Sequence, residues 1–169
     1  MSKTTRKLTA ILFTDIVGFT ALMRADEKKA LNLLYYNRQL LKPIIKKHDG
    51  EILKEMGDGT LNSFPSAIEA VRCALEIQEM LEAVPALNLR IGVHIGDVIE
   101  EGDDIFGDGV NIASRIQGLA EPGGICLSQA VYDSIQSQAD IRAKSIGKRE
   151  LKGIEGEQEI YTLISSQEQ

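Results

Sequence analysis

Residues 51–64 read EILKEMGDGTLNSF. Two short β-prone runs flank Gly57-Asp58-Gly59. Asp-Gly between such runs is a strong hairpin signal, because glycine reaches positive φ at little cost. The segment predicts two antiparallel strands with Asp58 at the tip. Upstream, residues 26–48 place Ala30, Leu33, Leu34, Leu40, Leu41, Ile44 and Ile45 at helical spacing. Asp26 stands where a helix cap belongs, and Pro43 falls inside the pattern, where a kink is expected. Before that helix, LTAILFTDI at 8–16 is an apolar, β-rich run that closes around Asp15.

Downstream, residues 65–83 predict a second helix, with Pro65 near its first turn. LNLRIGVHIGDVIE, residues 87–100, then reads as a strand. Alternation puts Arg90, Gly92, His94 and Gly96 on one face and Ile91, Val93 and Ile95 on the other. A helix is predicted over 108–120, broken by EPGG at 121–124. A short strand (ICLS), a helix (QAVYDSIQ) and two strands near 141–148 and 158–164 follow. The order β-α-β-β-α-β with appended elements predicts an α+β fold built on a ferredoxin-like core. No internal repeat, low-complexity segment or linker interrupts it, so residues 1–169 read as one domain with its core at about 8–164.

The chain has 169 residues, 43% hydrophobic and 26% charged, with a formal net charge of −6. That suits a globular domain and argues against a nucleic-acid surface, which needs a basic face. Cys73 and Cys126 lie among apolar residues without metal-ligand spacing, which reads as buried thiols in a reducing, cytoplasmic compartment. No run approaches the roughly 18 apolar residues of a membrane span. MSKTTRKLTA lacks an apolar signal core, so neither export nor membrane contact is expected from this segment. The polar end, SSQEQ, is compatible with a chain that continues, and with a fused or separate regulatory domain.

Two acidic residues stand out by position. Asp15 ends a strand and Asp58 tips the hairpin, and in a ferredoxin-like core those ends can be neighbours. Two carboxylates so placed can hold hard cations such as Mg²⁺, which prefer oxygen ligands and keep waters and substrate phosphates in their shell. Asp58 alone would equally be explained as a turn residue. After Asp15 comes Ile-Val-Gly-Phe-Thr, where Gly18, Phe19 and Thr20 open a helix whose amide groups could cradle phosphate. Neither GxxxxGK[ST] nor GxGxxG occurs.

Five stretches in order, TAILFTDIVGFT, KEMGDGTLNSF, LRIGVHIGD, DDIFGDGVNIASR and ELKG…YTL, resemble the class III adenylate and guanylate cyclases over about residues 8–163. The resemblance implies that Asp15 and Asp58, with Ile16 beside them, bind two divalent cations, Mg²⁺ or Mn²⁺. It implies that Lys54 and Asp104 read the base, that Asn111 and Arg115 orient the ribose and stabilise the transition state, and that Arg90 and Lys152 hold the triphosphate. It further implies a homodimer with composite sites: Asp15, Asp58 and Arg90 from one subunit, and Lys54, Asp104, Asn111, Arg115 and Lys152 from the other. The expected reaction is attack of the ribose 3′-oxygen of ATP on its α-phosphorus, giving cyclic AMP and pyrophosphate. Residues 111 and 115 are four apart in a predicted helix, so they share a face. An ionised Asp only accepts hydrogen bonds and Lys only donates, which complements adenine and mismatches guanine. The guanylate enzymes of the family usually carry Glu and a small Cys or Ser at those places. A guanylate cyclase and a silent cyclase-like module are the rival readings. A diguanylate synthase would need a Gly-Gly-acidic-acidic-Phe hairpin, where this chain has Gly57-Asp58-Gly59.

His94 is expected to play a structural part in its strand, and His48 to place charge at a helix C-terminus. The lysines at 42–47 are expected to be solvated and Phe106 to sit in the core. Residues 97–106 are of a length to form a short hairpin arm toward a partner subunit.

Overall fold

Residues 10–13, AILF, are apolar without alternation, a pattern that belongs to a strand covered on both faces. The computed structural model, which describes residues 4–102 and 104–164, shows why. Strand β1 (Thr4–Ile16) lies between β3 (Gly59–Phe64) and β4 (Leu89–Glu101), antiparallel to both. Ala10, Leu12 and Ile16 pack into one buried cluster, while Ile11 and Phe13 join a second on the other face. Residues 1–3 and the polar end 165–169 lie outside the described residues, as does Asp103 of the expected arm.

The first face is roofed by helices. α1 (Phe19–Ala25) leads into α2 (Glu27–Lys47), and Asp26 caps α2 by accepting a hydrogen bond from the Lys29 amide at 3.1 Å. Such a cap satisfies an amide that the helix itself leaves without a partner. Pro43 falls inside α2 on its exposed side. Strand β2 (Glu51–Met56) pairs with β3 around the Gly57-Asp58 turn, as the sequence predicts. The helix predicted over 65–83 is α3 (Ala67–Leu81); Pro65 precedes it, and Ser66 is its cap, accepting from the Glu69 amide at 3.1 Å. His48 caps the α2 C-terminus with its ring between Glu69 and Glu76 of α3, at 3.2 and 3.1 Å.

The strand order β2-β3-β1-β4 is that of the split βαβ core, and it continues through β6 (Ile125–Ser128), β8 (Glu157–Ile164) and β7 (Arg142–Glu150). Strand β6 is parallel to β4, and α5 (Gln129–Ile135) follows it directly from the cap Ser128. The hairpin expected over 97–106 forms: β4 runs out to Glu101 and β5 (Asp104–Phe106) pairs back onto it. Among the described residues no helix is long and apolar enough to cross a membrane.

Helix α4 (Asp108–Gln117) covers the second face. It ends three residues short of the predicted stop, because residues 119 and 120 bond back only three positions and tighten the turn. The predicted faces of β4 hold: Ile91 and Val93 enter the helix-roofed cluster, while Gly92 and Gly96 lie under α4. A Cβ on Gly92 would stand 2.4 Å from the Gln117 nitrogen and 2.9 Å from the Ala113 carbonyl oxygen, both backbone atoms. Phe106, expected in the core, is 42% exposed, because the β4–β5 ribbon gives it no second layer to pack against.

Gly92→Ala is therefore expected to push α4 off the sheet and lower folding stability by about 1–3 kcal/mol. Equilibrium denaturation in urea would measure it; an unchanged midpoint would show that α4 has slack.

Candidate active site

Below the two candidate carboxylates lies a buried polar ladder. Thr14 of β1 and Thr60 of β3 are opposite one another in register, their hydroxyls 2.8 Å apart, and the Thr60 amide donates to Thr14 Oγ1 at 3.2 Å. Asn62 Nδ2 donates to the Leu12 carbonyl and to Thr60 Oγ1, both at 3.0 Å. These bonds draw β3 against β1 at the end that carries Asp15. Gly59 permits the approach, since a Cβ there would sit 2.3 Å from the Thr14 carbonyl oxygen. Asp58 consequently turns back over the end of β1, where its Oδ2 accepts from the Ile16 amide at 3.0 Å.

Asp15 and Asp58 are thus brought together. The Asp15 carboxyl is pushed up to about 7, by burial first, then by a hydrogen bond and the negative charge of Asp58. The Ile16 amide and the positive charge of Arg90, opposite Asp15 in the β1–β4 register, act the other way. Arg90 is itself steered by its Nε donating to the Ala120 carbonyl at 2.9 Å. No third His, Cys, Asp or Glu joins the pair among the described residues. A carboxyl that keeps its proton toward neutrality beside a second carboxylate marks a place that a hard divalent cation can take, with water and phosphate completing its shell. The donor set fits Mg²⁺ or Mn²⁺. The Ile16 side chain is buried in the core, so any contact to such an ion falls to its backbone.

The remaining candidates divide by exposure. Lys54 of β2 and Asp104 of β5 meet across the surface, Nζ to Oδ1 at 3.4 Å, with side chains 43% and 65% exposed. Such an exposed pair contributes little to stability and gives way readily to a ligand. Asn111 and Arg115 lie one turn apart on α4, both exposed, and Lys152 is exposed in the β7–β8 connection. Gly18 is the left-handed cap of α1 (φ 76°) and is exposed together with Thr20, whereas Phe19 packs against the core. His94 of β4 is half-buried with its ring beside Gly96, and partial burial pushes its pKa down to about 4. The Cys73 and Cys126 thiols are buried and pushed up to about 12 and about 11. A groove of about 600 Å³ beside α3, lined by Leu75, Gln78, Leu87, Ile141 and Leu163 among others, contains none of the candidate site residues.

Residues 1–165 match the adenylate and guanylate cyclase catalytic domain family, and the chain belongs to it. It is 40% identical over 165 residues to a Rhizobium meliloti (strain 1021) protein provisionally named adenylate cyclase 3, covering 93% of this chain and 28% of that one. The chain thus spans less than a third of that relative's length. Among solved structures it resembles an adenylate/guanylate cyclase/hydrolase from Silicibacter pomeroyi, with TM-score 0.88, 35% identity and coverage of 97% and 100% of the two chains. It also resembles the adenylyl cyclase CyaB from P. aeruginosa, with TM-score 0.86, 25% identity and 97% of each chain covered. The class III cyclase fold expected from the five motifs is the fold of this chain.

Sequence reasoning passed over the ladder of Thr14, Thr60 and Asn62, and over Arg38. The ladder had a signal: a threonine directly before the strand-end aspartate and another two residues after the turn aspartate. Arg38 had none, for a helical arginine reads as solvated whatever it touches.

Folding raises the Asp15 pKa from an ordinary 3.8, so the folded, metal-free chain holds that proton more tightly than the unfolded chain. The resulting stability is fully present below the ordinary value and is lost as pH rises through about 7. Asp15→Asn cannot ionise. In EDTA, the wild-type melting temperature is expected to fall relative to this variant between about pH 4 and about pH 7 and to level off above that. A constant offset across that range would show that the carboxyl titrates normally.

Proposed function

We propose that this cyclase domain is of the adenylate type, forming 3′,5′-cyclic AMP and pyrophosphate from ATP at sites shared between two copies of the chain. The observation that carries the reading is the pairing of Asp15 with Asp58 at the end of β1, beside Arg90. Asp15 and Asp58 would hold the divalent cations. When bound, these supply acidification of the ribose 3′-hydroxyl and neutralisation of the leaving pyrophosphate.

The protein's own groups do the rest. Lys54 donates to a ring nitrogen of adenine and Asp104 accepts from its amino group; guanine would set acceptor against acceptor and donor against donor. Their surface pairing in the absence of nucleotide supports the assignment, since one ligand can meet both. Asn111 orients the ribose, and Arg115 meets charge that develops on the α-phosphate. Arg90 and Lys152 neutralise the departing pyrophosphate. Exposure of Asn111, Arg115, Lys54, Asp104 and Lys152 on one chain supports completion of each site by a second. A symmetric pair would then carry two equivalent sites.

With Mn²⁺ and ATP the protein is expected to yield cyclic AMP, identified by mass, with turnover that rises more than linearly with protein concentration. GTP should be used less well, by up to roughly 10⁴-fold. Asp15→Ala and Arg115→Ala should each be inactive, and mixing them should restore about a quarter of wild-type activity through one intact site per mixed dimer. Wild-type turnover by Asp15→Ala would sink the carboxylate assignment, and absence of rescue would sink the shared site.

A further inference from the structure

The two carboxylates repel whenever both are ionised, and Asp58 sits on a two-residue turn whose Gly57 is exposed with φ 61°. Something must keep that turn from swinging away. Part of the restraint is the Ile16 amide, which holds the Asp58 side chain. The second restraint comes from the helical layer. Arg38 follows the fully buried Asn37 on α2, so it leaves the helix at the edge of the packed face. Its guanidinium reaches the hairpin: Nη2 donates to the Gly57 carbonyl at 3.2 Å, and Nη1 lies 3.4 Å from Glu55 Oε2. The Arg38 side chain is only 21% exposed, and its Nε is buried, so the stem is packed rather than free.

We propose that Arg38 is a positioning residue for the carboxylate pair, holding the peptide that leads into Asp58. The proposal rests on the reading of Asp58 as a cation ligand. The Gly57 carbonyl belongs to the planar peptide bond between Gly57 and Asp58. Fixing its oxygen therefore fixes the direction from which the Asp58 Cα is approached. Asp58 is anchored from both sides: its carboxylate by β1, its preceding peptide by α2. A guanidinium suits the task, because its planar fork can bond the carbonyl and face Glu55 at once. Groups that orient metal ligands typically matter by 10–100-fold in metal affinity or activity. Arg38 acts through the backbone, so the lower end applies.

The test titrates Mn²⁺ into the full chain with a non-cyclisable ATP analogue, following free Mn²⁺ by electron paramagnetic resonance, alongside metal-dependent turnover. Arg38→Ala is expected to raise the half-saturating Mn²⁺ concentration about tenfold, with kcat at saturating Mn²⁺ little changed. Arg38→Met keeps the packed stem and removes the donors; it should show the same shift and serves if the alanine variant does not fold. Arg38→Lys should recover part of the loss, and Glu55→Gln should stay near wild type because the Gly57 bond persists. Unchanged Mn²⁺ affinity in folded Arg38→Met, beside abolished binding in Asp58→Ala, would overturn the proposal alone. Wild-type Mn²⁺ affinity in Asp58→Ala would overturn the metal reading and the proposal with it. A loss in Glu55→Gln equal to that in Arg38→Met would show that the ion pair, not the carbonyl bond, carries the effect, and would likewise overturn it.

Discussion

The amide of Ile16 donating to the carboxylate of Asp58 is the bond on which the arrangement turns. It closes the β2–β3 hairpin over the end of β1 and sets one carboxylate against another, a contact that electrostatics opposes. The fold meets that opposition with local devices. Thr14, Thr60 and Asn62 bond the two strands together from within the core. Gly59 removes the side chain that would hold them apart. Arg90 supplies a positive charge from the other neighbouring strand. Each is a short-range effect, yet all depend on β1 being an interior strand, flanked by β3 and β4.

The parts of the chain governed by period and turn chemistry were legible before any coordinates. The Gly57-Asp58 hairpin, the Asp26 cap and the two faces of β4 follow from alternation, helical spacing and the special conformations of glycine. Where the structure departs, tertiary pairing overrides local preference. Thr4–Lys7 are polar and exposed, but they extend β1 because β4 continues opposite them as far as Glu101. Leu119 and Ala120 keep an apolar pattern past the end of α4 because they pack in a small cluster with Cys126 and Ile160. Phe106 looks like a core residue in sequence, and it stays 42% exposed on the β4–β5 ribbon.

The candidate site was legible as a set of residue types and much less as a set of contacts. Asp15 and Asp58 could be matched because both end β-prone runs. The pairing of Lys54 with Asp104 joins β2 to β5, on opposite margins of the β3-β1-β4 unit, and no local spacing encodes it. The charge distribution follows the same division. The chain carries net charge −6, yet the proposed site draws on the cations Arg90, Arg115 and Lys152. On that proposal, attraction for an anionic substrate would be a local property of a few side chains within a negative protein.

Strand β1 pairs with β4 through thirteen consecutive residue partners, from Thr4 opposite Glu101 to Ile16 opposite Leu89. Such a ladder has no intermediate positions: a slip of one residue would exchange inward and outward side chains along its whole length. Tension applied at Thr4 therefore cannot slide Asp15 gradually past Arg90, its partner on β4. The strand transmits a push as a beam does, turning the sheet bodily while leaving the acid pair undisturbed.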